Sequence, residues 1–143
     1  MITATHNNAP KTLRLSAAIV VNDAGEMLLV RKRNTLAFMQ PGGKIDGQET
    51  PTDALLRELN EELSLHIDEA QLQPMGRYHA KAANEPDTWI DADIFWLPLS
   101  APIVPAAEIE EAVWINIQKP PAGMTLAPLT EQQLIPIARE KLA

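Results

Sequence analysis

Three glutamates, Glu58, Glu61 and Glu62, stand three and four residues apart in a segment of strong helix formers. At a period of 3.6 residues those spacings bring all three carboxylates to one helix face. Like charges so placed repel by roughly a few tenths of a kcal/mol per pair. A divalent cation would turn that repulsion into affinity, and hard carboxylate oxygens at this density suit Mg2+ or Mn2+. The competing reading is ordinary solvated surface, which is what most Glu-rich helix faces are. Two neighbours bear on the choice. Pro41-Gly42-Gly43 precedes the helix, and glycine lets backbone carbonyls approach an ion closely. Arg57, the one cation in the same turn, can brace the loop to the helix through Glu49.

The elements around this segment must hold it in place. Thr50 as N-cap, Pro51 at the first helical position and Asp53 three residues after the cap start a helix through TDALLRELNEELSL. Leu55, Leu56, Leu59 and Leu63 give that helix an apolar stripe. Upstream, TLRLSAAIVV and MLLVRKR flank the turn Asn22-Asp23-Ala24-Gly25 and predict a hairpin that ends against the breaker cluster Pro41-Gly42-Gly43. Downstream, strands are predicted from Met75 to Ala82, from Thr88 to Leu97 and from Ala112 to Ile117. A last helix is predicted from near Thr130 to Lys141, with Pro136 marking a kink or a late start. The expected class is α/β (α+β), an α/β/α sandwich around a mixed sheet. Residues 1–10 read as a flexible polar tail and 11–143 as one domain.

With these residues in view, the segment from Gly43 to Leu65 resembles the signature of the Nudix hydrolase family, with a MutT-like Pro-Gly-Gly-Lys lead-in. That signature is Gly, five residues, Glu, seven residues, then Arg-Glu-aliphatic-any-Glu-Glu-any-Gly-aliphatic. Gly43, Glu49, Arg57, Glu58, Leu59, Glu61, Glu62 and Leu65 match it, and Ser64 replaces the second glycine. A serine held in the left-handed conformation at a helix end costs about 1 kcal/mol. It carries no ligand in the family, so a small effect on stability is expected.

The resemblance implies metal-dependent hydrolysis of a diphosphate bond in a small nucleoside diphosphate-linked substrate, a nucleoside triphosphate being the favoured case. It implies Glu58 and Glu62 as principal metal ligands, Glu61 as a third ligand or a support, and the Gly42 carbonyl as a backbone ligand. Arg57 and Glu49 are expected to orient the carboxylates. The general base is one of the signature glutamates or Glu108, which clusters with Glu110 and Glu111 ahead of Trp114. Arg31, Arg33 and Lys44 are candidate phosphate-binding cations, with Lys32 beside them, although solvated strand ends read the same way. Tyr78, Trp89, Trp96 and Phe38 could stack on a base, but strand aromatics are more often core. The residues that mark oxidised-purine, ADP-ribose and dinucleoside polyphosphate hydrolases are absent or displaced. A homodimer is also implied. The alternative is a catalytically silent nucleotide-binding sensor of the same fold, which usually shows erosion of the signature glutamates.

Composition narrows the field further. With 19 acidic and 12 basic residues the net charge is −7, which argues against a nucleic-acid polymer as partner. There is no cysteine, hence no thiolate chemistry, and His6, His66 and His79 have no zinc spacing. No apolar run is long enough for a membrane span and no export signal is visible, so a cytoplasmic protein is expected.

Overall fold

The computed structural model describes residues 11–143; the expected N-terminal tail, 1–10, lies outside them. Seven strands form one mixed sheet: β1 (Lys11–Val21), β2 (Glu26–Lys32), β3 (Phe38–Met39), β4 (Gly42–Lys44), β5 (Gln73–Lys81), β6 (Thr88–Pro98) and β7 (Ile109–Asn116). The main path runs β3-β2-β1-β6-β5, with β4 paired to β1 and β7 to β2. Among the described strands only the β1–β6 pair is parallel, and it runs in continuous register from Lys11↔Thr88 to Val21↔Pro98. Central parallel strands are covered on both faces, which is why Ser16 to Val21 are buried without interruption.

The period-two alternation of the strands sorts the core into two layers. Ile19, Val21, Met27, Leu29, Ile94 and Trp96 face one side, where they meet Leu134, Ile135 and Ala138. Ala18, Val20, Leu28, Val30, Phe95 and Leu97 face the other, against Leu55, Leu59 and Leu63. Two helices supply these outer layers. Helix α1 (Pro51–Leu63) and helix α2 (Ile135–Leu142) complete the α/β/α sandwich. No helix among the described residues is long and apolar enough to cross a membrane.

Helix α1 starts at Thr50, whose side chain accepts a hydrogen bond from the Asp53 amide at 3.1 Å. Ser16, fully buried in β1, donates to the Pro51 carbonyl at 2.6 Å and so fastens the first turn to the sheet. At the other end Ser64 adopts φ 57°, and its amide donates to the Asn60 carbonyl. This is the left-handed C-terminal cap that glycine usually occupies.

Two elements depart from the pattern the sequence predicts. The β1–β2 hairpin pairs only at its tip, Val21↔Met27, because β1 then takes β6 and β4 as partners while β2 takes β7 and β3. The breaker cluster is itself part of a strand: Gly42, Gly43 and Lys44 pair with Ala17, Ser16 and Leu15. Gly42 permits this with φ +150°, since a Cβ there would collide with the Ser16 carbonyl and with Ala17. The late start expected at Pro136 is observed: Pro136 falls in the first turn of α2, and a π-helical turn, Thr130–Leu134, precedes it. Proline has no amide to donate to the preceding turn, so the wider turn and late start accommodate it.

Candidate active site

Arg57 is the hub of the polar cluster on α1. Its Nε and Nη2 grip both oxygens of Glu49 at 2.7 and 2.8 Å, and Nη2 also donates to the Lys44 carbonyl at 3.0 Å. Nη1 reaches Glu58 at 2.8 Å and Glu61 at 3.1 Å. A planar guanidinium can satisfy this many acceptors at fixed angles. The arrangement ties the loop after β4 to the second and third turns of the helix. The Arg57 hydrogen bonds, aided by the Asp46 amide, hold the Glu49 carboxyl down at about 2. Arg57 in turn is held even more firmly protonated than usual, chiefly by Glu49.

Glu58 and Glu62 turn inward, toward the sheet. The Glu58 side chain is 16% exposed, and burial raises its pKa despite the Arg57 hydrogen bond. Glu62 is 2% exposed, and its Oε1 is the one buried side-chain oxygen or nitrogen without a hydrogen-bond partner among the described residues. Burial, reinforced by Glu58, pushes Glu62 up to about 8, while Lys32 and the Gly42 amide pull the other way. A buried acceptor left unpaired costs about 1–3 kcal/mol, so the position calls for a partner. The missing side chain of Gly43 completes the cradle, because a Cβ there would overlap the Glu58 carboxyl group.

Glu61 behaves differently from the other two. Its side chain is 53% exposed and leans on Arg57 one turn back. The helix presents all three carboxylates on one flank, but only two reach the sheet side. Among the described residues no set of three acidic, histidine or cysteine side chains converges as a metal cluster. Two inward carboxylates, one with an orphaned oxygen, nevertheless fit Mg2+ or Mn2+. Such ions are commonly held by one or two carboxylates and complete their shell with water and substrate phosphates.

Glu108 arrives from the loop before β7. That loop is pinned to the end of α1, where the Val104 and Ala106 amides donate to the Leu63 and Glu62 carbonyls at 3.1 and 2.8 Å. The Arg33 amide donates to the Glu108 carbonyl at 2.8 Å, and the Glu108 carboxylate lies 3.8 Å from Lys32 Nζ. Glu110 and Glu111 belong to β7 itself. Glu111 binds Arg31, which also donates to the Thr35 carbonyl. Arg31 is therefore engaged elsewhere, and the exposed Arg33 side chain makes a 3.3 Å hydrogen bond to the Ala107 carbonyl.

A cavity of about 130 Å3 opens beside the cluster, with Gly42 and Gly43 in its wall. Its body is apolar, and Lys32, Lys44 and Lys81 stand around it. Lys44 was expected near the substrate; Lys32 is the basic residue of the Arg31-Lys32-Arg33 run that lines the cavity. The β2–β7 register shifts between Arg31 and Lys32, so strand alternation does not separate the three from sequence. Lys81 and Gln40 carried no comparable signal. None of the four aromatic candidates lines this cavity. Trp96 is core, Phe38 packs on the α2 side and lies under Arg31, Tyr78 donates to the Met75 carbonyl, and Trp89 stacks on His79 at 5.0 Å. A wider depression of about 540 Å3, lined by Asn60, His66, Asp68 and their neighbours, lies on the outer side of α1, away from Glu62.

Comparison with known proteins bears on the family and the fold. The family model described as NUDIX domain matches residues 12–134. An RNA pyrophosphohydrolase from Pseudomonas savastanoi pv. phaseolicola is 50% identical over 54 residues, covering 38% of this chain and 34% of the relative's length. A MutT NUDIX hydrolase from Burkholderia pseudomallei superposes with a TM-score of 0.70 at 20% identity, covering 93% of this chain and 99% of that one. A MutT protein from Methanosarcina mazei Go1 does so with the same TM-score and identity, covering 93% and 96%. At that identity the two structures speak for the fold.

Proposed function

From the premise that this chain belongs to the NUDIX family, we propose that it hydrolyses a diphosphate bond in a small nucleotide-like substrate, a nucleoside triphosphate in the first instance. One observation carries the proposal: the buried Glu62 carboxyl group keeps an unpartnered oxygen beside Glu58, behind the Gly42-Gly43 backbone that walls a cavity edged by lysines. A structural glutamate in a core has no reason to be left so, since burying it unpaired is costly.

The roles divide by position. Glu58 and Glu62 would hold Mg2+ or Mn2+, with Glu61 at the rim as a support. When bound, such an ion neutralises phosphate oxygens and acidifies water. Lys32 and Lys44 draw the phosphate chain to the cavity mouth as point charges. The apolar interior takes up the base and excludes water from one side of the scissile bond. Arg57 keeps Glu58 and strand β4 in register through Glu49 and the Lys44 carbonyl. Glu108, close to Lys32 yet outside the buried pair, is the carboxylate best situated to take the proton of the attacking water.

The named relatives favour a second reading, the triphosphorylated 5′ end of RNA, over the stretch that matches. The net charge of −7 weighs against a long RNA footprint, though not against recognition of one terminal nucleotide. A phosphate-release screen over nucleoside triphosphates, nucleotide-linked diphosphates and 5′-triphosphorylated oligoribonucleotides, with Mg2+, Mn2+ or EDTA, tests both. Metal-dependent turnover of free nucleotides is expected. Turnover of the oligonucleotides alone would favour the second reading. Binding without turnover of any substrate would instead identify a sensor.

A further inference from the structure

Gln40 is a buried polar side chain at the cavity that nothing in the proposed chemistry uses. It sits between β3 and β4, is 6% exposed, and lines the cavity together with Met39, Ala17, Leu15 and Leu129. Its Oε1 accepts a 2.6 Å hydrogen bond from the Thr130 hydroxyl, and Thr130 is fully buried. Among the described residues no acceptor takes a hydrogen bond from its Nε2. Glu62 Oε1 is the only buried side-chain nitrogen or oxygen there that lacks both a partner and exposure. The Gln40 nitrogen therefore keeps its exposure, and in a residue so buried that exposure is to the cavity.

Thr130 is held by its backbone as well. It opens the π-helical turn that precedes α2, and wide turns of this kind frequently mark functional sites. The hydroxyl fixes which end of the amide is already satisfied. What remains to the cavity is a pair of N–H donors among aliphatic walls. At about 130 Å3 the space is several times a water's share of roughly 30 Å3, and it suits one flat ring rather than a second large moiety.

We infer that Gln40, oriented by Thr130, reads the base: it donates to an exocyclic carbonyl oxygen, so that the preferred substrates carry an oxo group where adenine and cytosine carry an amino group. The inference rests on the diphosphate-hydrolase proposal above. A buried donor left facing an amino group goes unpaired, and sites built around one hydrogen bond reject the analogue that cannot make it far more strongly than apolar pockets do. Guanine and uracil nucleotides pair with the amide, whereas adenine and cytosine nucleotides confront it donor to donor.

The test compares kcat/KM for GTP against ATP, and for UTP against CTP, in the Mg2+-loaded protein and in two variants. The unaltered protein is expected to favour the oxo member of each pair by roughly tenfold or more. Gln40→Leu should bring both ratios to within about twofold of unity, chiefly by raising KM for the oxo substrates. Thr130→Val keeps the shape, frees the amide to rotate and should weaken both ratios even if Gln40→Leu fails to fold. Turnover of nucleotides without oxo preference, or with ratios unchanged in a folded variant, overturns the inference and leaves the hydrolase proposal standing. Absence of turnover and of binding for all four nucleotides overturns both.

Discussion

The Glu58 carboxyl group occupies the space that a side chain on Gly43 would need. The glycine ahead of it, Gly42, is required for a different reason, since its absent side chain lets β4 lie against the backbone of Ser16 and Ala17. Adjacent glycines thus serve separate ends, one the site and the other the sheet. Gly43→Ala should displace only the end of a flexible side chain, costing about 1 kcal/mol of stability. A misplaced Glu58 should nevertheless lower kcat on the order of 100-fold. Gly42→Ala should instead cost roughly 2–4 kcal/mol, through strain at φ +150° and overlap with backbone. Urea denaturation and phosphate release, measured on both variants, separate the two. Equal stability losses would contradict the division.

Glu62 gives the metal-free protein a definite pH dependence. Its proton is held up to about pH 8 in the folded chain against an ordinary value of 4.5. Below pH 4.5 both folded and unfolded states are protonated, and this stabilising difference is fully present. Between pH 4.5 and 8 the unfolded state ionises first, so stability falls as pH rises and levels off above 8. The ceiling is about 5 kcal/mol. Glu62→Gln cannot ionise, should remove the slope and should be the more stable protein at pH 8 in EDTA. The same variant should lose activity by roughly 100-fold or more. Thermal melts from pH 5 to 9 in EDTA check the first expectation, and an unchanged slope in the variant would refute it.

Arg57 and Glu49 produce the opposite trend at acid pH. Glu49 titrates at about 2 in the folded chain, below the ordinary 4.5. Its contribution is therefore present above pH 4.5 and is lost as pH falls from there toward 2. Glu49→Gln should flatten that acid limb. Arg57→Lys retains the charge but cannot hold both Glu49 oxygens, Glu58 and the Lys44 carbonyl together. Activity should drop by about 10–100-fold while the acid limb is only partly flattened. Acid-induced unfolding of the two variants, alongside their kcat, would show whether the brace acts on both quantities.

What the sequence disclosed and what it withheld follow from the range of the interactions. The cap at Thr50, the leucine stripe of α1 and the contact of Glu49 with Arg57 are local, spanning at most eight positions, and are readable from spacing. The β4 strand was hidden because its glycines pair through an approach to Ser16 and Ala17 that no local rule anticipates. The shared helix face of the glutamates was legible as well. Its division into inward Glu58 and Glu62 and outward Glu61 depends on where the sheet lies. Gln40 and Thr130 are 90 positions apart, and neither is unusual in its own surroundings. The opening of β2 into separate partners, rather than a full hairpin with β1, is likewise set by competition from distant strands.

The Arg31-Lys32-Arg33 run gives the last prediction its contrast. Lys32 lines the cavity, stands 3.8 Å from Glu108 and lowers the proton affinity of both Glu58 and Glu62. Arg31 spends its guanidinium on Glu111 and the Thr35 carbonyl. Lys32→Ala should therefore raise KM for a triphosphate by roughly 10–100-fold, the loss expected for a charge-assisted hydrogen bond. It should also steepen the pH-dependent loss of stability in EDTA, because a cation that favours the Glu62 carboxylate is gone. Arg31→Ala breaks an ion pair whose carboxylate is 48% exposed, an interaction worth about 1 kcal/mol at most. Its KM should stay within about twofold of the parent. Steady-state kinetics on the two variants would decide between them, and a larger KM effect at Arg31 would place the phosphate chain on the other side of β2.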